Sequence, residues 1–212
     1  MILGPKKLLQ LVKTKKLVEH LSDRELTNPE GAGFDLRLGE VYKISGSAFL
    51  GETHRKTADI ELIARYNSKP RTHNLTVRGT NQPLTNIHDR RQKREANVKR
   101  TDSNNSIVIK PGDFYLVKTI ESVNMPDNIT ASITPRSTTY RSGLFIRAGN
   151  VPPGYCGGLT FGLSNEGPAT VIIELGARFV HIQFSEVKGG GNLYRGQWQG
   201  GRVTARRKEK QV

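Results

Sequence analysis

Cysteine, acidic residues and long apolar runs are all scarce in this chain, and each shortage excludes a class of protein. A single cysteine, Cys156, in 212 residues leaves no internal disulfide and no cysteine-rich zinc site. Hydrophobic residues make up 35% of the chain and never approach the roughly 18 in succession that a membrane helix needs. The opening MILGPKK runs straight into an amphipathic pattern, without the apolar stretch and small-residue cleavage site of a secretory leader. Together these features predict a cytoplasmic protein with no membrane partner.

Acidic residues number 19 against 33 Lys and Arg, giving a net charge of +14. The surplus is localised. Lys69 to Arg100 carries nine basic residues against Asp89 and Glu95, and Arg202 to Lys210 carries five against Glu209. Lys6, Lys7, Lys13, Lys15 and Lys16 add a third cluster. Basic segments of this kind hold polyanions by a salt-sensitive, sequence-blind attraction, or serve as solvated arms. Nonspecific nucleic acid is therefore one candidate partner for 69–100 and 202–210. Aromatics are sparse in the first of these, so stacking on single strands is not expected there.

Glycine is plentiful, at 22 residues. Residues 5–18, PKKLLQLVKTKKLV, space Leu8, Leu9, Leu11 and Val12 onto one face, with Leu17 a further candidate and Pro5 suited to the first turn, which predicts a short N-terminal helix. From Gly33 onward short apolar runs alternate with Gly and Pro turns: Phe34–Leu38, Val41–Ile44, Ile60–Ile63, Ser106–Ile109, Phe114–Val117, Ile129–Ile133, Gly143–Arg147, Gly158–Leu163, Thr170–Glu174 and Arg178–Phe184. That spacing predicts an all-β sandwich or barrel. Residues 67–106 are polar and basic and read as an inserted, partly disordered loop. Residues 192–212 read as a flexible basic tail after a domain spanning 1–191.

Arg136-Ser137-Thr138 follows Pro135 at the end of an expected strand. A turn in that position aims backbone N–H groups and hydroxyls at one anion, and Arg136 and Arg141 supply charge-assisted bonds to phosphate oxygens. PRSTTYRSGL is similar to the phosphate-binding RSS-x-x-R-x-G motif of the dUTPase and dCTP deaminase superfamily. GAGFDLRLG resembles both the AGxDL element of dUTPases and the DLRLG of deaminases. ELGARFVHIQF resembles the late PGMRIAQLxF strand, with Arg178 at the arginine. YRGQWQGG resembles the tail that closes over the nucleotide, and the opening residues resemble the helical start of dCTP deaminases.

The resemblance implies an all-β, dUTPase-like distorted barrel or jelly roll with a short N-terminal helix, assembled as a homotrimer with nucleotide sites between subunits. It implies a dCTP-, dUTP- or dTTP-type ligand touched by Arg136, Ser137, Thr138, Arg141, Thr160, Phe161, Tyr194, Gln197 and Gln199. Magnesium would enter with the triphosphate, and no zinc or protein-held metal is implied. The dCTP deaminase branch would convert dCTP to dUTP and ammonia. A dUTP diphosphatase, an inactive nucleotide-binding regulator and a nucleic-acid-associated β protein are the alternatives.

The residues the chemistry needs are replaced. Both activities use a carboxylate to activate water. The family Asp position falls on Pro152, which offers no side-chain hydrogen bond, and the deaminase Glu position falls on Gly162. Gln197 stands where the tail lysine is expected. Glu166 and Asp35 are the substitute carboxylates worth testing. Glu174, His181 and Cys156 lack a neighbouring signal that would make them catalytic.

Overall fold

The computed structural model describes residues 1–67, 105–205 and 207–210. The basic segment 69–100 and nearly all of the insert read at 67–106 lie outside the described residues.

Helix α1 (Pro5–Lys15) starts with proline at its first turn and ends at Lys16, whose left-handed φ of 52° lets its N–H cap the carbonyls of Leu11 and Val12. That turn redirects the chain so that Leu17 and Val18 are buried in the core. Val18 then pairs with Val123, forming β1 (Val18–Glu19) on β7 (Phe114–Asn124). A short helix, α2 (Asp23–Thr27), follows.

The two apolar runs expected at 34–38 and 41–44 form one strand, β2 (Gly33–Ser45). They are joined through a bulge at Gly39, where the register against β7 shifts between Leu38 and Glu40. A side chain at Gly39 would sit 2.8 Å from the backbone nitrogen of Ile120, so the two strands can approach this closely only with glycine there. The remaining strands are β3 (Phe49–Leu50), β4 (His54–Lys56), β5 (Asp59–Arg65), β6 (Ser106–Ile109), β8 (Ile129–Pro135), β9 (Leu144–Arg147), β10 (Cys156–Asn165), β11 (Val171–Glu174), β12 (Arg178–Glu186) and β13 (Glu209–Lys210). A short helix, α3 (Ser137–Arg141), links β8 to β9.

The main sheet runs β8-β12-β2-β7-β10-β9, with β1 and β5 added to β7 and β2, and curls into a nearly closed antiparallel barrel. Its interior is filled by alternating residues such as Phe34, Leu36 and Leu38 from β2 and Val180, Ile182 and Phe184 from β12. Two smaller ladders flank it: β11 on β6, and β4 between β13 and β3.

Candidate functional site

The hairpin 149–155 enters β10, which lies between β7 and β9. Side chains alternate along β10. Phe161 turns inward and meets Phe179 edge-on at 5.9 Å between ring centroids. Thr160 turns the other way, and its buried Oγ1 has no hydrogen-bond partner. Pro152, Thr160, Phe161 and Tyr194 line one cavity of about 560 Å³, together with Phe114, Tyr155 and Trp198. Burial beside Tyr194 and Cys156 pushes the Tyr155 phenol up to about 12, and its hydroxyl donates to the Gly158 carbonyl at 2.8 Å.

The tail, expected to be flexible, lies across this hairpin. Tyr194 N–H donates to the Pro153 carbonyl at 2.8 Å, and the Tyr155 and Tyr194 rings meet edge-on at 5.3 Å. Gln199 donates to the Gly154 carbonyl at 2.9 Å and accepts from the Cys156 N–H at 3.2 Å. Gly157 and Gly201 touch backbone to backbone, and a side chain on Gly157 would overlap Gly201. Gln197 accepts a hydrogen bond from Arg55, and its buried Nε2 has no partner. Tyr194 is therefore at the cavity, whereas Gln197 and Gln199 brace the tail.

The other half of the expected site is elsewhere. Arg136 N–H and the Thr139 hydroxyl both bind the Phe179 carbonyl, at 3.0 and 2.8 Å, which fixes the start of α3 against β12. Ser137, Thr138 and Arg141 are exposed on this turn. Arg136 is only partly exposed, and its guanidinium pairs with the buried carboxylate of Asp35. Burial lowers the Arg136 pKa, and the neighbouring Arg178 lowers it further. Asp35 also receives Arg178 at 2.9 Å and lies 3.6 Å from Arg24. Fully buried Glu25 accepts the Asp35 N–H at 3.0 Å. Burial lowers the His181 pKa, which favours the neutral ring. Its Nδ1 lies 3.1 Å from Asp35 Oδ1, and a carboxylate can only accept, so this nitrogen carries the proton.

Asp35 thus anchors an ionic network and does not face the cavity. Arg24 and Glu25, in the polar stretch DREL, carry no sequence signal of this role. None of Arg136, Ser137, Thr138 or Arg141 lines the cavity.

Pro152 and Gly162 both lie near the cavity's aromatic wall. A side-chain carbon on Gly162 would come within 3.0 Å of the Phe114 ring and 3.2 Å of Arg147 Cβ, so Phe114 occupies the space a larger residue would need. Glu166 is on the rim of the sheet, held by Arg147 at 3.2 Å and the Ser164 hydroxyl at 3.1 Å, and does not line the cavity. Among the described residues no Asp, Glu, His or Cys lines it. Nor do three such side chains converge anywhere among the described residues to hold a metal.

A profile of the dCTP deaminase-like family matches residues 2–187. The chain is 28% identical over 190 residues to the "dCTP deaminase, dUMP-forming" of Dictyoglomus turgidum, covering 87% of this chain and 79% of that one. It is 34% identical over 130 residues to a dCTP deaminase of Pyrococcus furiosus, covering 59% of this chain and 83% of the relative. The fold is similar to that of 2'-deoxycytidine 5'-triphosphate deaminase from Agrobacterium tumefaciens, with a TM-score of 0.54 and 21% identity. That match covers 88% of this chain and 48% of the solved one, so the chain spans about half of it. Fold, motifs and profile agree: the chain belongs to the dCTP deaminase-like family.

Proposed function

We propose that this chain binds a pyrimidine deoxynucleoside triphosphate and holds the nucleoside in the 560 Å³ cavity without deaminating it there. The observation that carries this reading is the cavity lining: aromatic walls, an unpartnered Thr160 hydroxyl, and no Asp, Glu, His or Cys among the described residues. Hydrolytic deamination adds water to C4 of cytosine, so some group must take the water proton and return it to the departing ammonia. Tyr155, with a pKa of about 12, is a poor base near pH 7. Pro152 and Gly162 supply no proton acceptor.

The exposed turn Ser137-Thr138-Arg141 retains anion-binding chemistry but lies outside the cavity. In a homotrimer it would serve the cavity of a neighbouring copy. Magnesium would arrive held by phosphate oxygens and water. A cytoplasmic location suits such a ligand.

Deamination of dCTP to dUTP is the second reading, favoured by the names of relatives 28–38% identical to this chain. Calorimetric titration of the purified chain with dCTP, dUTP and dTTP plus magnesium, alongside ammonia and pyrophosphate assays, separates the two. Binding without either product is expected. Ammonia from dCTP, abolished by Ser137→Ala, would establish a deaminase. Pyrophosphate from dUTP would establish a diphosphatase, and absence of binding would remove the nucleotide.

A further inference from the structure

Two cations line the same cavity, Lys56 at the end of β4 and Arg202 in the tail. Resting on the nucleotide reading of that cavity, we propose that Lys56 and Arg202 form a clamp within a single chain for the ligand's phosphates, separate from the α3 turn.

The two residues are far apart in sequence, and a built scaffold brings them together. The Thr57 and Thr204 hydroxyls lie 2.9 Å apart, Ala205 N–H donates to Thr57 Oγ1 at 2.8 Å, and Thr204 Oγ1 donates to the Ala58 carbonyl at 3.2 Å. Ala205 is fully buried, and Glu209 and Lys210 continue the attachment as β13 on β4. The basic residues at 202–210 therefore include one that is positioned beside the cavity.

The cavity wall is largely aromatic and aliphatic, and among the described residues its charged side chains are Lys56 and Arg202, 34% and 44% exposed. A ligand matching that lining has a ring-bearing body and an anionic end, as a nucleotide does. Both cations retain bonding capacity. Lys56 Nζ is 4.0 Å from Asp59 Oδ1, at the outer limit of an ion pair. Arg202 holds Glu209 through both terminal nitrogens, at 2.6 and 3.5 Å, and the Thr204 carbonyl at 3.4 Å. A guanidinium has five N–H donors in a fork that suits phosphate oxygens. No carboxylate lines the cavity among the described residues, and Asp59 and Glu209 partner the two cations from outside it, so an incoming phosphate competes with them for Lys56 and Arg202.

The test compares dCTP and dUTP with the uncharged deoxycytidine and deoxyuridine by calorimetric titration of the full chain. Wild type, Lys56→Gln, Arg202→Gln and Glu209→Gln are used, with melting curves to establish folding. Lys56→Gln and Arg202→Gln are each expected to weaken nucleotide binding about 3- to 10-fold, the lower range for a charge-assisted contact at a partly exposed site, with nucleoside binding unchanged. Glu209→Gln, which frees Arg202, is expected to tighten it. Nucleotide affinity unchanged by Lys56→Gln and Arg202→Gln would overturn the clamp while leaving the cavity assignment intact. An equal loss for nucleoside and nucleotide would also overturn it, by showing that these residues shape the wall and do not read charge. Failure of wild type to bind either kind of ligand would overturn the cavity assignment itself, and the clamp with it.

Discussion

At the residue scale, Gly162 and Phe114 are best understood together. The glycine sits in a strand interior, where it normally weakens packing, and the Phe114 ring covers the space its missing side chain leaves. Replacing Gly162 with glutamate therefore does more than add a carboxylate. The new Cβ would lie 3.0 Å from the Phe114 ring, which is tighter than an ordinary contact, so the ring must shift. Overpacking of this kind costs about 1–3 kcal/mol, and Gly162→Glu is expected to destabilise the protein by that amount in urea unfolding. Phe114 is 40% exposed, so trimming it removes less packing than trimming a core phenylalanine would. Phe114→Ala combined with Gly162→Glu is thus expected to be more stable than the sum of the two single effects allows. Strict additivity would mean that the ring does not fill the position. Gly162 on β10 and the Phe114 ring laid over it from β7 therefore act as one packed unit.

At the element scale, the tail owes its order to contacts that no local pattern records. Its sequence, GNLYRGQWQGGRVTARR, is polar and glycine-rich, and a composition argument reads it as flexible. Its attachment comes from backbone bonds to the 153–156 hairpin and from the Thr57 hydroxyl, which accepts the Ala205 N–H at 2.8 Å. Thr57→Val removes that acceptor and leaves the N–H of a buried residue unpaired, a cost of about 1–3 kcal/mol that falls on one short segment. Faster tryptic cleavage at Arg202 and Arg207, with little change in the barrel's melting temperature, is the expected outcome. A cleavage rate equal to wild type would show that the hairpin contacts alone hold the tail. The barrel strands, by contrast, were legible because each carries its own short apolar run between turn residues. The join of two runs into β2 was not legible, since a bulge depends on how closely a partner strand approaches Gly39. The same limit applied to the site. Its motif residues could be named from local sequence, whereas the burial of Glu25 and the engagement of Arg136 by Asp35 depend on partners brought in from other strands.

At the scale of the whole molecule, one chain keeps the cavity and the exposed α3 turn apart. The cavity is built from the 149–155 hairpin, β10 and the tail, and the turn carrying Ser137, Thr138 and Arg141 lies on α3, outside it. If both serve one nucleotide, two copies must meet, and a closed ring is the symmetric way to repeat that head-to-tail contact. A homotrimer is accordingly expected by light scattering, and Arg141→Ala is expected to weaken dCTP or dUTP binding by about 1.5–3 kcal/mol, the range for a hydrogen bond to a charged group. Thr160→Val should weaken the same binding from the cavity side. The arrangement has a sharper consequence when the two variants are unfolded, mixed in equal amounts and refolded together. Each site then draws its cavity from one chain and its turn from another, so about one site in four receives two intact halves by random assortment. Titration of the mixture should recover a tight-binding fraction near a quarter, which neither variant shows alone. If one chain supplied both surfaces to its own site, every site would carry a lesion and no tight fraction would appear.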